Sequence, residues 1–259
     1  MIKKNIVVIG YGFVGKAMAA CFPDQNVFVV DPNPCVHELN PKTNVTFYES
    51  VDDIYGCGKM DAIFICVPTP MGDNGAMDSR ILNHVLEDIW DYFTCYHHPL
   101  IPIVLKSTVI PTAFQDIRRK FLELSAHLVY NPEFLTERNA FDDMINADLL
   151  VLGAKNKSLC DQIEDLYRQY SICNVKEVHK LTLEEASFVK YGINSYLASK
   201  LIWFMEYSRL LDGFGSVRPG AVIRAMTSDK SHATWESRCL SCRNDRTMVN
   251  PLRIRWFAS

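Results

Sequence analysis

The sequence predicts an α/β fold in which a doubly wound, mostly parallel sheet is followed by a long helix. Two observations predict it. Up to about residue 180, short apolar runs alternate with longer mixed runs at the spacing of βαβ units. From Thr182 to Leu211 the alternation stops, and one apolar-rich run follows that is long for a globular helix.

The individual elements follow from this alternation. The predicted strands lie at 5–9, 27–30, 45–48, 61–67, 101–106, 127–130, 147–152 and 175–179. The predicted helices of the sheet region lie at 14–21, 79–95, 111–124 and 156–170. Thr182 followed by Glu184 and Glu185 indicates the start of the long helix, because a hydroxyl and two acids suit a helix N-terminus. A shorter helix is predicted at 219–226.

The first predicted strand ends in the spacing G-x-G-x-x-G. The motif consists of Gly10, Tyr11, Gly12, Phe13, Val14 and Gly15. Gly10 permits a tight strand-to-helix turn, Gly12 lets a pyrophosphate approach the backbone, and Gly15 lets the helix pack closely on the sheet. The helix N-terminus offers N–H groups and a positive dipole end to phosphates. The motif therefore predicts a Rossmann-type dinucleotide site; a simple glycine turn is the alternative.

Asp31 indicates which dinucleotide binds. It ends the second predicted strand, at the position where a carboxylate accepts hydrogen bonds from the adenosine ribose. A carboxylate there repels a 2′-phosphate, and the sequence Asp31-Pro32-Asn33-Pro34 supplies no Arg. We therefore expect NAD as cofactor rather than NADP.

The composition argues against several other classes of protein. A net charge of −3 gives no reason to expect nucleic acid or an anionic membrane as partner. The longest apolar runs, such as 101–105, are too short to span a bilayer, and residues 1–4 do not resemble a signal peptide. Nine scattered cysteines predict reduced thiols and a cytoplasmic protein. Cys239 and Cys242 have C-x-x-C spacing without a second pair nearby, so no metal site is predicted.

Four further segments carry polar side chains at strand ends or on the long helix. They are C-V-P-T-P at 66–70, K-S-T-V-I-P at 106–111, N-P-E-F-L-T-E at 131–137 and K-Y-G-I-N at 190–194. Together with the glycine motif, these segments resemble the UDP-glucose/GDP-mannose dehydrogenase family, from the N-terminus to about Lys230. The resemblance implies NAD-dependent oxidation of a nucleotide sugar at C6, of the UDP-glucose to UDP-glucuronate type. It also implies a homodimer formed through the long helix.

The resemblance assigns roles to individual residues. It implies that Glu137 assists thioester hydrolysis near the nicotinamide, that Thr108 orders a water, and that Lys190 and Asn194 stabilise an oxyanion. Substrate contacts are implied for Glu133, Phe134, Leu135, Lys190 and Asn194, and cofactor contacts for Thr69, Thr108 and Glu137. Plainer interpretations stay open: Thr108 as a helix cap, both glutamates in a solvated loop, and Lys190 with Asn194 on an exposed helix face.

The resemblance ends before the family's nucleophile, a cysteine in an F-G-G-x-C-x-P-K-D segment. Gly213-Phe214-Gly215 lacks that cysteine, so we expect a truncated chain, either a frameshift product or a short variant. The expected parts are an NAD-binding domain at 1–180, a helical bridging or dimerisation segment at 181–230, and a poorly ordered tail at 231–259. Two alternatives remain, a non-catalytic NAD-binding and dimerisation module and a dehydrogenase of the 6-phosphogluconate type.

Overall fold

A computed structural model of the chain describes residues 2–33, 44–54, 57–73, 75–96, 101–136 and 138–228. Eight strands form one sheet. They are β1 Asn5–Ile9, β2 Asn26–Val30, β3 Val45–Tyr48, β4 Ala62–Ile65, β5 Ile103–Leu105, β6 Leu128–Tyr130, β7 Leu149–Ala154 and β8 Glu177–Leu181. Their order in the sheet is β3-β2-β1-β4-β5-β6-β7-β8. All pairings are parallel except that of β6 with β7.

Eight α-helices and one 3₁₀ turn, Asp52–Ile54, connect or follow these strands in the described part of the chain. The helices are α1 Phe13–Ala20, α2 Arg80–Cys95, α3 Ala113–Lys120, α4 Leu122–Ser125, α5 Ala140–Ile145, α6 Lys157–Tyr170, α7 Leu183–Asp212 and α8 Pro219–Thr227. None of the helices in the described ranges is long and apolar enough to cross a membrane.

The sheet is buried on both faces, as a parallel sheet with crossover helices requires. Successive residues of β1 point to opposite faces, so Val7 and Ile9 join one apolar cluster while Ile6 and Val8 join the other. Helices α2 and α3 and the start of α7 cover the first face, and α1, α5 and α6 cover the second. All four residues of β4, Ala62–Ile65, are fully buried at the centre.

The strand order reverses between β1 and β4, because the chain runs outward from β1 to β3 and then returns to β4 on the other side. In open α/β sheets, ligands bind beyond the carboxyl ends of the strands at such a point. The glycine motif follows β1, and residues 66–70 follow β4. The topology therefore brings both segments to one crevice.

The predicted fold class is confirmed, and each predicted strand overlaps an observed one. The single helix predicted at 111–124 is wrong, because Phe121 leaves the helical region at φ −126 and ψ 63 and separates α3 from α4. The short helix α5 was not predicted. The expected tail at 231–259 lies outside the described residues.

The described residues fall into two compact units. The first runs to Tyr191 and contains the whole sheet, and the second begins at Gly192. The division falls within α7, eleven residues beyond the boundary at 180 that the sequence suggested, and that boundary stays a prediction.

The start of α7 lies unusually close to the sheet at Gly153 of β7. A Cβ atom on Gly153 would lie 2.6 Å from the carbonyl oxygen of Thr182 and 2.7 Å from the Cβ of Ala186. Only glycine leaves room for this approach, so the first turns of α7 pack directly against the strand.

Candidate cofactor and substrate site

The glycine motif has the geometry that a pyrophosphate site requires. Gly10 has φ +88, a region that favours glycine, and a Cβ on it would lie 2.9 Å from the carbonyl oxygen of Cys66. A Cβ on Gly15 would lie 1.9 Å from the carbonyl oxygen of Gly10. At Gly12, by contrast, no described atom lies within 4 Å of such a Cβ. Gly10 and Gly15 therefore shape the turn, and the space at Gly12 remains for a ligand.

Helix α1 begins at this open position. Gly12 is its N-cap residue, has no side chain to cap the helix, and accepts a hydrogen bond from the Lys16 amide at 2.9 Å. The first amides of a helix have no intrahelical partner and carry the positive end of the dipole. The segment Phe13–Ala20 thus presents donors to an anion beside the open space, which suits a pyrophosphate.

Asp31 lies next to the glycine motif. One oxygen of its carboxylate accepts a hydrogen bond from the Tyr11 amide at 2.7 Å, and the other accepts one from the Asn33 amide at 2.9 Å. Asp31 thus joins the end of β2 to the glycine motif, and its contact with a ribose stays a prediction.

The loops after β4 and β5 are joined at the same crevice. The Thr69 hydroxyl donates to the carbonyl oxygen of Thr108 at 2.7 Å, and the Ser107 hydroxyl donates to that of Val67 at 2.6 Å. Thr69 is buried, whereas Thr108 is half-buried. Thr108 precedes α3, which has Thr112 as its N-cap residue, so the interpretation of Thr108 as that helix's cap is wrong.

Cys66 lies beside the glycine motif but is not a candidate nucleophile. Its side chain is buried, and burial raises the pKa of the thiol to about 12. At neutral pH it is therefore an uncharged thiol, and the thiolate is the reactive form of cysteine.

Two candidate residues from distant segments form a buried ion pair. Lys190 Nζ lies 2.8 Å from Glu133 Oε1, and both side chains are 5% exposed. The ammonium also donates to the backbone carbonyl of Glu133, and Glu133 Oε2 accepts a hydrogen bond from the Leu135 amide at 2.7 Å. The alternative interpretations, which placed Glu133 in a solvated loop and Lys190 on an exposed helix face, are therefore both wrong.

The residues around this pair are fixed by packing. Phe134 packs against the cluster on one face of the sheet and Leu135 against the cluster on the other. The Phe134 ring lies 5.6 Å from Lys190 Nζ, within cation–π range. The Thr136 amide and hydroxyl both donate to Asp143 at the start of α5. The second half of the N-P-E-F-L-T segment is therefore held by packing at Phe134 and Leu135 and by hydrogen bonds at Thr136.

Glu137 and Asn194 are also among the predicted site residues. Glu137 lies outside the described residues, so its predicted roles stay predictions. Asn194 lies on α7 four residues after Lys190, but it belongs to the second unit.

Sequence reasoning missed a polar network beneath the crevice. Asn131 Oδ1 accepts hydrogen bonds from Lys106 Nζ at 3.1 Å and from the Tyr167 hydroxyl at 2.8 Å. Asn131 Nδ2 donates to the carbonyl oxygen of Val151 at 2.9 Å. Burial lowers the pKa of Lys106. Lys106 and Asn131 each begin a quoted motif, but no sequence signal identified Tyr167 as their partner.

Comparison with known proteins identifies relatives of this chain. A model of the UDP-glucose/GDP-mannose dehydrogenase family, NAD binding domain, matches residues 4–171. UDP-glucose 6-dehydrogenase of Rickettsia bellii is 30% identical over 235 residues, which cover 82% of this chain and 53% of the relative. The putative UDP-glucose 6-dehydrogenase YtcA of Bacillus subtilis is 28% identical over 242 residues, with the same two coverages. The chain thus spans about half the length of these curated relatives.

Solved structures give the same result for the fold. A GDP-mannose dehydrogenase from Pseudomonas aeruginosa, solved as a ternary complex, superposes with a TM-score of 0.78 at 22% identity, covering 89% of this chain and 58% of that one. A UDP-glucose dehydrogenase from Pyrobaculum islandicum superposes with a TM-score of 0.75 at 25% identity, with the same coverages. The Rossmann-type fold is therefore shared with dehydrogenases of known structure.

Proposed function

The chain belongs to the UDP-glucose/GDP-mannose dehydrogenase family, with its NAD-binding domain at residues 4–171, and from that premise we propose that it oxidises a nucleotide sugar at C6. The relatives named above favour UDP-glucose as the sugar. The observation that carries the proposal is the buried Lys190–Glu133 pair, which ties α7 to the loop after β6, at the same end of the parallel strands as the glycine motif.

The proposed cofactor contacts follow from the crevice at the reversal of strand order. NAD supplies the acceptor for the hydride that leaves the sugar. The open space at Gly12 and the first amides of α1 bind its pyrophosphate, and Asp31 binds the adenosine ribose. Thr69 and Thr108 contact the cofactor from the joined loops after β4 and β5.

The proposed substrate contacts centre on Lys190. An ammonium has three N–H donors, and Glu133 occupies two of them through its carbonyl and Oε1. The third is left, among the described contacts, for an oxygen of the sugar at which negative charge develops. Glu133 positions the ammonium, and Asn194 donates a second hydrogen bond to the same oxygen. Phe134 and Leu135 hold the backbone beside the sugar. Glu137 would assist the hydrolysis of a thioester if a cysteine elsewhere in the chain held the aldehyde.

The proposed activity is tested by mixing the full chain with UDP-glucose and NAD and measuring the NADH that is released. Release of no more than one NADH per sugar is expected, because oxidation to the acid needs the family's cysteine segment. A mixture with GDP-mannose in place of UDP-glucose serves as the control for the sugar. One NADH per sugar would mean oxidation to the aldehyde, and two would mean oxidation to the acid.

A second function, a non-catalytic NAD-binding module, is favoured by one specific observation. None of the 259 residues lies in an F-G-G-x-C-x-P-K-D segment, so the cysteine that the family uses to hold the aldehyde has no counterpart in that context. NAD binding without any NADH release from UDP-glucose would support this module and contradict the dehydrogenase. Two NADH per sugar would instead require a nucleophile elsewhere, with Cys239 and Cys242 as the first positions to test.

We propose that two copies of the chain associate through α7. The part of the helix in the second unit exposes four large apolar side chains, Tyr196, Ile202, Trp203 and Leu210, each more than half exposed. Apolar side chains concentrated on one helix in this way mark an association surface. Light scattering should give the mass of a dimer, and Trp203→Glu should shift it to that of a monomer. A wild-type monomer at high concentration would contradict the association.

Selectivity for NAD over NADP is expected to depend on Asp31. Its carboxylate, held by the Tyr11 and Asn33 amides, repels a 2′-phosphate at the ribose. Calorimetric titration of the wild type should give NAD affinity at least about 10-fold above that for NADP, or ~1.4 kcal/mol. Asp31→Asn should lower the ratio of NAD affinity to NADP affinity, since the amide oxygen can still accept a hydrogen bond but carries no charge to repel the 2′-phosphate. Equal affinities in the wild type would contradict the role of Asp31.

A further inference from the structure

Two cysteines far apart in the sequence meet away from the proposed active site. Cys21 follows α1, and Cys173 lies between α6 and β8. The Ile172 amide donates to the carbonyl oxygen of Cys21 at 2.9 Å, so the two backbone segments are in direct contact. Cys173 also packs against the apolar cluster that contains Cys21, and the Cys21 side chain is the largest influence on the pKa of the Cys173 thiol. A disulfide needs Cα atoms about 4.4–6.8 Å apart, so it forms only between backbone segments that lie side by side, as these two do.

The surroundings of Cys173 favour its thiolate. The influence of the Cys21 side chain lowers the pKa of Cys173, and the Ser171 hydroxyl and the Lys106 charge act in the same direction. Burial acts in the opposite direction and is outweighed. Lys106 is buried and is held by Asn131, so its positive charge acts on Cys173 from a fixed position. The thiolate is the form that reacts with oxidants.

The two sulfur atoms differ in their access to solvent. Cys21 is fully buried, whereas Cys173 is partly exposed. Because Cys173 is the more exposed of the two, a small oxidant meets Cys173 first, and Cys21 acts as the resolving thiol.

The other buried thiols of the described chain lack this arrangement. Burial raises the pKa of Cys66 and is also the largest influence on Cys160, whose pKa it raises too. The Cys160 thiol donates to the carbonyl oxygen of Leu152 at 3.6 Å rather than to a second sulfur. Cys66 and Cys160 are therefore uncharged core thiols without a neighbouring thiol among their described contacts, unlike Cys21 and Cys173.

We propose that Cys21 and Cys173 form a peroxide-sensitive dithiol that closes to a disulfide between α1 and the segment after α6. The Cys173 thiolate attacks a hydroperoxide, the O–O bond breaks, and Cys173 becomes a sulfenic acid while an alcohol or water leaves. Cys21 then attacks the Cys173 sulfur, the S–S bond forms, and the sulfenic oxygen leaves as water. Two thiols lose two electrons in total, the hydroperoxide gains them, and a dithiol reductant reverses the change.

The test uses the full wild-type chain with hydrogen peroxide. After treatment, free thiols are alkylated in acid, the protein is digested with trypsin without reductant, and linked peptides are identified by mass spectrometry. The peptide of residues 169–176 is expected to be joined to that of residues 17–42 with the loss of two hydrogen atoms. Cys35 lies in the second peptide, so fragmentation must place the link on Cys21.

Variants distinguish a dithiol from general oxidation. In Cys21→Ser, the sulfenic acid on Cys173 should persist and be trapped by dimedone, while the matched control Cys95→Ser at an exposed cysteine should form the wild-type link. The proposal is overturned if treated wild type shows Cys173 fully alkylated, or linked to other cysteines as often as to Cys21. It is also overturned if trapping on Cys173 is the same in wild type and Cys21→Ser.

Discussion

Gly12→Val is expected to abolish NAD binding while the chain still folds. A Cβ on Gly12 meets no described atom within 4 Å, so the valine costs the fold only the poorer N-cap, about 1 kcal/mol. The same side chain fills the space in which a pyrophosphate would approach the first amides of α1. We expect calorimetry to show NAD affinity lowered at least about 100-fold, equivalent to ~2.7 kcal/mol.

Gly15→Ala provides the contrast, because it should damage the fold rather than the site alone. Its Cβ would lie 1.9 Å from the Gly10 carbonyl, and backbone cannot yield as a flexible side chain can. A loss of about 3 kcal/mol or more is expected in urea unfolding, at the upper end of overpacking costs. Gly192→Ala, in a helix with open space around it, should bind NAD like the wild type. Strong NAD binding by Gly12→Val would refute the assignment of this space to the pyrophosphate.

Lys190→Met should destabilise the first unit more than any exposed ion-pair variant. The substitution removes the ammonium but leaves the Glu133 carboxylate buried, with only the Leu135 amide as a recorded donor among the described contacts. Breaking a buried pair by removing one partner costs about 3–5 kcal/mol, because the remaining charge has no compensation. Methionine keeps most of the volume of the lysine side chain, so the loss reports the charge rather than a cavity. Urea unfolding monitored by circular dichroism measures it.

The double variant Lys190→Met with Glu133→Gln tests the physical reason. A neutral amide at 133 leaves no buried charge, so the double variant should be more stable than Lys190→Met alone. Arg119→Met serves as the matched control, because Arg119 pairs with Asp116 where both side chains are more than 70% exposed. No measurable loss is expected there. Equal losses for Lys190→Met and Arg119→Met would mean that the buried pair does not stabilise the fold.

The parts of the site that the sequence predicted are those encoded by local spacing. The glycine motif follows a strand and starts a helix within six residues, so each glycine has a role that neighbouring residues define. Asp31 was predicted in the same way, from its place at the end of β2. Its hydrogen bond to the Tyr11 amide could not be predicted, because it depends on the pairing of β1 with β2.

The parts that escaped prediction depend on contacts between distant segments. From the sequence, Lys190 is one of two polar residues on a helix face. Its buried contact is with Glu133, 57 residues earlier, so local spacing could not predict it. The network of Lys106, Asn131 and Tyr167 joins β5, the end of β6 and α6, and no spacing within one segment encodes it. The break at Phe121 likewise reflects burial of that side chain in the core rather than helix propensity.

The close approach at Gly153 limits the local unfolding of the first turns of α7. Thr182, Leu183 and Ala186 pack against β7 with no room for an additional methyl group, and the Ser187 hydroxyl donates to the Val109 carbonyl at 2.6 Å. A segment packed in this way cannot fray independently, because separating it exposes the apolar face of the sheet at β7. The amides of Ala186 and Ser187, which are fully buried, should therefore exchange with deuterated solvent only when the sheet itself unfolds. Lys190 follows on the same helix, so the residue proposed to face the sugar is held by turns that are anchored to the sheet.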